Sequence, residues 1–297
     1  MKASRRTNAA TRQPTPGELN AAKVRYPRVS RGGLLANLLL GVSALAMGIP
    51  LLWMILASID RHAGWGIHLP DPTVANYSAL MNRQELHPFY NSFYLAGVST
   101  VLTLVLGMPA GYALSRWKLP LKQSLLLVIL FASGLPVTMT LVATYELYTK
   151  LHMLNSLFYT SLFLTAAALP FAVWLLKNFI DAVPLEFEEA ASIEGSGAFS
   201  TLCRIVVPLA LPGIAVTTII TFIGGWGAFM IPLILDAKPS HLPGSLAIYQ
   251  FMSANTQIKF GGIAAYSMLF SAPVVALYLL SSKYLGRAFT FGGGIRG

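Results

Sequence analysis

Six long intervals of the chain carry no Lys, Arg, Asp or Glu: Gly32–Ile59, Leu86–Ser115, Gln123–Tyr145, Leu151–Leu176, Ile205–Leu235 and Phe260–Ser282, between 23 and 31 residues each. A helix needs roughly 20 apolar residues to cross the hydrocarbon core of a bilayer. No water reaches that core, so the backbone must pair within itself, and runs of this length do so as helices. The pattern predicts an all-α integral membrane protein with six transmembrane helices.

Polar positions collect in the first 31 residues and in the connections. The tail, residues 1–31, is basic and contains Pro14, Pro16 and Pro27. It reads as a largely disordered segment. The apolar run after it exceeds a 7–15-residue signal-peptide core, so it is not expected to be cleaved. Residues 32–297 read as one six-helix membrane domain. Placing the tail in the cytoplasm puts sixteen of the twenty-one Lys and Arg residues on the inner side. By the positive-inside rule both termini are then cytoplasmic, and the chain is a multi-pass protein of the plasma (cytoplasmic) membrane.

Composition agrees. Charged residues make up 11% of the chain, against about a quarter in soluble domains. The net charge of +10 follows from topology and does not imply a nucleic-acid partner. No acidic or basic residue lies mid-span, which disfavours a proton-coupled carrier, since such carriers keep intramembrane ionisable groups. No metal-ligand spacing, catalytic triad or GxxxxGK[ST] phosphate loop is present. The chain is expected to be no enzyme, with no catalytic or metal residues. The single cysteine, Cys203, excludes an internal disulfide.

The polar stretch from about 181 to 208 is of another kind. In Asp181–Gly195, Pro184 suits a first helical turn, where its missing N–H would go unpaired anyway. Glu186, Glu188 and Glu189 favour the positive end of a helix dipole. Gly195 suits the left-handed stop of a helix. A short helix of about ten residues is predicted, then a second starting at Ser196 or Gly197 and ending near Pro208 and Pro212. Alanines flanked by glutamates would admit another backbone closely and offer charge to a basic partner. A merely solvated helix start remains the plain alternative.

Glu189-Ala190-Ala191, Gly195 and, after nine intervening residues, Ile205-Val206-Val207-Pro208 resemble the EAA motif of ABC importer permeases. Asn91-Ser92 and the segment Ala110–Arg116 resemble the family's NS and AYAxxR elements. Leu169-Pro170-Phe171 also fits, and the ending Gly292–Gly297 is similar to that of maltose-type, carbohydrate-uptake permeases. The resemblance runs from about the first span to the C-terminus. Val207 stands where the family usually has Leu, Glu194 where it often has Asp, and Gly197 where it often has Ser. Trp226-Gly227-Ala228 replaces a common Trp-Asn-Glu or Trp-Asn-Asp.

The resemblance implies the ABC importer permease fold, with residues 181–208 as the coupling loop and about 283–297 as a cytoplasmic tail. Glu188, Glu189, Ala190, Ala191, Gly195, Ile205 and Pro208 would couple to an ATPase, and Gly294 and Arg296 would touch it from the tail. ATP and Mg would sit on that partner, and no cofactor on this chain. Further implied partners are a homologous second permease, a cytoplasmic ATPase dimer, an extracytoplasmic solute-binding protein and a sugar-like solute, in a setting of membrane lipid. Glycerol phosphate or another polyol derivative is the alternative solute. An ion-coupled secondary transporter is the alternative class.

An uncharged polyhydroxy solute needs hydroxyl partners and aromatic faces. Thr144, Thr217 and Thr221 could supply the first, Tyr112 and Trp226 the second. Membrane-helix Thr also bonds its own backbone, and small-residue stripes such as Gly107–Gly111 serve helix packing.

Overall fold

The computed structural model describes residues 31–64, 69–253 and 259–293. Among the described residues the regular structure is helical, with one isolated bridge between Asp60 and Pro72. In chain order the helices are α1 (Arg31–Ser58), α2 (Ala75–Leu80), α3 (Arg83–Arg116), α4 (Lys122–Gly134), α5 (Thr138–Lys150) and α6 (Leu157–Asp181). They continue with α7 (Glu186–Ile193), α8 (Ala198–Leu209), α9 (Leu211–Trp226), α10 (Met230–Leu235), α11 (Gly244–Ser253) and α12 (Phe260–Gly293).

Four of these are long and apolar enough to cross a membrane: α1 from Leu35, α3 from Gln84, α6, and α12 over Phe260–Ser282. Two bent pairs raise the number to six if each counts as one span. They are α4 with α5, at 90°, and α8 with α9, at 80°. The expected single span over Gln123–Tyr145 is therefore two helices. Proline disfavours helical geometry in the residue before it, and Leu135, before Pro136, takes extended angles of φ −73° and ψ 132°. The expected span over Ile205–Leu235 is also divided. Only α9 runs straight through it, about 24 Å at 1.5 Å per residue. A break at Gly227–Phe229 separates it from α10.

The chain divides inside α1, with one unit ending at Leu52 and the other beginning at Trp53. The described part of the first is the apolar start of α1, where Leu35, Val42 and Leu51 are exposed. The second unit contains all the other helices. Its frame is α3 packed along α6. At Gly111 a Cβ would stand 3.1 Å from the Lys177 backbone nitrogen, so glycine lets the two backbones approach, as the Gly107–Gly111 spacing predicts.

Different contacts close the two ends of α3. At its start the Asn82 side chain accepts from the Glu85 backbone N–H at 2.9 Å, an N-cap. Here Leu80, Ala247, Ala265 and Tyr266 form a core with Phe89 and Phe270 against it. At its other end Met108, Tyr112, Leu176, Ile180, Leu202, Val206 and Ala210 form a second core. That core anchors α8 through Leu202 and Val206.

Candidate functional site

Helices α7 and α8 form an elbow between α6 and α9. Helix α7 is eight residues long, from Glu186 to Ile193. Its end is a Schellman motif: Ser196 N–H donates to the Ala191 carbonyl at 2.9 Å, and Gly195 N–H to that of Ser192 at 3.0 Å. Gly195 has φ +84°, a conformation that costs glycine nothing and other residues strain. Helix α8 starts after Gly197. It widens to a π turn over Leu202–Val206, where the Val207 N–H reaches back to the Leu202 carbonyl. The wider turn comes just before Pro208, whose ring would clash in a regular α-helix and which has no N–H to give.

Within α7 the two adjacent glutamates part company. Glu189 and Ala190 are exposed, whereas Glu188 and Ala191 are buried. The Glu188 carboxylate accepts from Arg116 Nε at 2.7 Å and from the Tyr112 hydroxyl at 2.8 Å. The reason is helical spacing. Residues 188 and 191 share the face of α7 that lies on the bundle, and residue 189 is turned off it. Gly195 and Pro208 are exposed and Ile205 is half-buried. Ala191, Gly195 and Ile205 line a cavity of about 490 Å³ with Glu194, Ser196, Gly197, Ser200 and Arg204. Gly294 and Arg296 lie outside the described residues.

The exposed side of the elbow also carries large apolar groups. Ile193 is 88% exposed and Phe199 78%. The sequence pattern gives neither residue a surface role. The signal for both was available, as large apolar residues among polar ones beside a glycine turn.

The solute-path candidates stand apart from the elbow, except for Tyr112. Tyr112 is buried and bonded to Glu188. Thr217 and Thr221 are buried and donate to the carbonyls of Gly213 and Thr217, each at 2.8 Å. Thr144, half-buried, donates to the Thr140 carbonyl at 2.8 Å. Trp226 is buried, donates from Nε1 to the Phe270 carbonyl at 2.9 Å and stacks on Phe222 and Phe270. Each of these polar groups is thus engaged within the chain. On the same aromatic cluster Phe93, packed edge-on to Phe222 and Trp226, is the exposed ring.

Apolar helices of membrane-crossing length, with a short two-helix elbow folded against the end of the α3–α6 pair, define a membrane-spanning permease. The family model of binding-protein-dependent transport system inner membrane components matches residues 21–290, and the chain belongs to that family. It is 31% identical to the sulfoquinovosyl glycerol transport system permease protein SmoH of Agrobacterium fabrum, over 82% of this chain and 87% of that one. It is 28% identical to the trehalose/maltose transport system permease protein MalG of Thermococcus litoralis, over 88% and 98%. Its fold is similar to that of a chain in a bacterial ABC transporter involved in the import of the acidic polysaccharide alginate. The TM-score is 0.74 at 21% identity, covering 87% of this chain and 99% of the other.

Proposed function

We infer that this chain is the permease subunit of an ATP-driven importer for a sugar or oligosaccharide, in which the α7–α8 elbow is the coupling loop. The carrying observation is that Glu189 and Ala190 are exposed just before the left-handed Gly195, with Ile193 and Phe199 exposed beside them. A carboxylate, a small residue that allows close approach and flanking apolar side chains suit a protein partner better than solvent alone. The similarity to permeases named for a sulfoquinovosyl glycoside and for trehalose and maltose supports the solute class.

In this reading the elbow and both termini are cytoplasmic. Residues 1–31 are a basic tail, residues 32–297 are the permease domain, and the end around Gly294 and Arg296 also reaches the ATPase. A homologous permease completes the membrane path, two ATPase subunits hold ATP and Mg, and an extracytoplasmic binding protein delivers solute. Closure of the ATPases pushes on Glu189 and the cavity beside Gly195, and the helices change from inward-open to outward-open.

The test is purification of the complex with Glu189→Ala and Gly195→Pro variants of this chain. Proline cannot take the φ of +84° held by Gly195. Gly195→Pro is expected to release the ATPase, and Glu189→Ala to lower uptake per ATP hydrolysed by about tenfold, within the usual range of a coupling free energy. Unchanged ATPase retention and unchanged uptake in both variants would defeat the reading.

A further inference from the structure

The last turn of α3, the end of α6 and the first turn of α7 converge on one guanidinium. Arg116 Nε donates to Glu188 Oε1 at 2.7 Å, while Nη2 donates to the carbonyls of Ile180 at 3.0 Å and Val183 at 2.8 Å. Tyr112, one turn earlier on α3, closes the group by donating to Glu188 Oε2 at 2.8 Å. The side chains of Arg116 and Glu188 are 14% and 8% exposed.

A buried ion pair gives little net stability over apolar packing of the same volume, because both charges lose their water. What this one gives is direction. The planar fork of arginine fixes several acceptors at once, which a lysine ammonium does not. The acceptors here belong to two separate elements besides α3 itself. Glu188 is also the immediate neighbour of the exposed Glu189, so the outward and inward faces of α7 are one residue apart.

We propose that the Arg116–Glu188 pair, held by Tyr112, is the joint through which displacement of the elbow is carried into α3 and α6. Arg116 and Glu188 are then positioning residues for coupling and do not touch the ATPase. The proposal rests on the reading of the elbow as a coupling loop. A rigid joint transmits a push on Glu189 to the Ile180 and Val183 carbonyls and the end of α3 together. A loosened joint lets α7 tilt alone.

The chain offers a direct measurement. Cys203, its only cysteine, is exposed on α8, and Trp117, directly after Arg116, is 56% exposed. Spin labels on Cys203 and on Trp117→Cys report the distance across the joint by pulsed electron resonance. The full chain is studied in complex with its co-purified ATPase, first without nucleotide and then trapped with ATP and vanadate. With the joint intact, the distance distribution is expected to be narrow and the same in both states.

In Glu188→Gln, whose amide keeps the shape but loses the charge, the distribution is expected to stay narrow without nucleotide. On trapping, its width is expected at least to double. Arg116→Lys, which keeps the charge but not the fork, is expected to fall between, and it decides the matter should Glu188→Gln fail to assemble. The proposal is overturned by a distribution that shifts on trapping with the joint intact. It is also overturned if neither variant broadens, or if broadening is equal in both states, which would make the pair a folding contact only. A parent chain that retains no ATPase defeats the proposed function itself, before any variant is compared.

Discussion

The elbow end of the bundle and the middle of its helices handle polar groups in opposite ways. At the elbow end, side chains bridge elements: Arg116 to Glu188 and to the end of α6, Ser115 to Asp181, Tyr112 to Glu188. Within the spans, hydroxyls mostly bond back to their own helix, as Thr217 does to Gly213, Thr221 to Thr217 and Ser161 to Leu157; Thr165 bonds Ser161 and also donates to the Ser99 carbonyl on α3 at 3.5 Å. The hydroxyls of Thr100, Thr103 and Thr160 are buried with no hydrogen-bond partner among the described residues. A hydroxyl satisfied by its own backbone does not tie its helix to the next. In the proposed coupling reading, middles of this kind can slide on one another with few polar bonds to break, while the end that takes the push is cross-braced. The far end of α3 is braced too, though with neutral groups. Asn91 Nδ2 donates to the carbonyls of Ser240 and Leu242, and Ser92 Oγ accepts from Gly244 N–H.

The contrast is broken most severely by Arg116→Leu. It leaves the Glu188 carboxylate buried without its cation, a change that costs about 3–5 kcal/mol. The expected outcome is loss of folded complex, read as a collapse of the thermal transition in detergent. Retention of the parent transition would remove the charged brace from the account. At the far end Asn91→Ala leaves two backbone carbonyls without their donor, and Asn91 is buried. Buried groups stripped of a partner cost about 1–3 kcal/mol. The transition should therefore fall clearly, yet by less than in Arg116→Leu. An equal fall would mean that charge gives the elbow end no special role.

Much of this was legible in the sequence because charge-free intervals report directly on the solvent. Four of the six intervals coincide with unbroken helices, and Gly195 is a left-handed stop where a stop was expected. Asn91 and Ser92, picked out together by resemblance, fasten α3 to the segment before α11 and to its first residue, Gly244. Bends were less legible. An apolar interval looks the same whether one helix or two cross it, and Pro136, inside the third, was the available sign. The split between Glu188 and Glu189 was not legible from the acidic run alone. It depends on which side of a two-turn helix meets the bundle. The usable hint was three residues on, in the Ala191 that shares the face of Glu188, and across the chain in Tyr112 and Arg116, one turn apart on α3. The solute path was hardest. Threonine satisfies its own helix as readily as a solute, and the two uses have the same sequence.

Thr217→Val isolates that ambiguity and carries the smallest expected effect. The hydroxyl donates to the Gly213 carbonyl at 2.8 Å, and the side chain is almost fully buried. Valine keeps the branched shape and removes only the donor. The Gly213 carbonyl stands in the first turn of α9, before Thr217 on the same helix, and even side-chain hydrogen bonds between membrane helices are worth only about 0.6 kcal/mol. The thermal transition is therefore expected to move very little, far less than for Asn91→Ala. Uptake by the assembled transporter should be unchanged if the hydroxyl does nothing but close its own turn. A large loss of uptake with an unmoved transition would make Thr217 a group that leaves its backbone partner for solute during transport. In that case the helix middles would be places of recognition as well as of sliding, and the division between braced ends and self-contained middles would hold for the resting structure only.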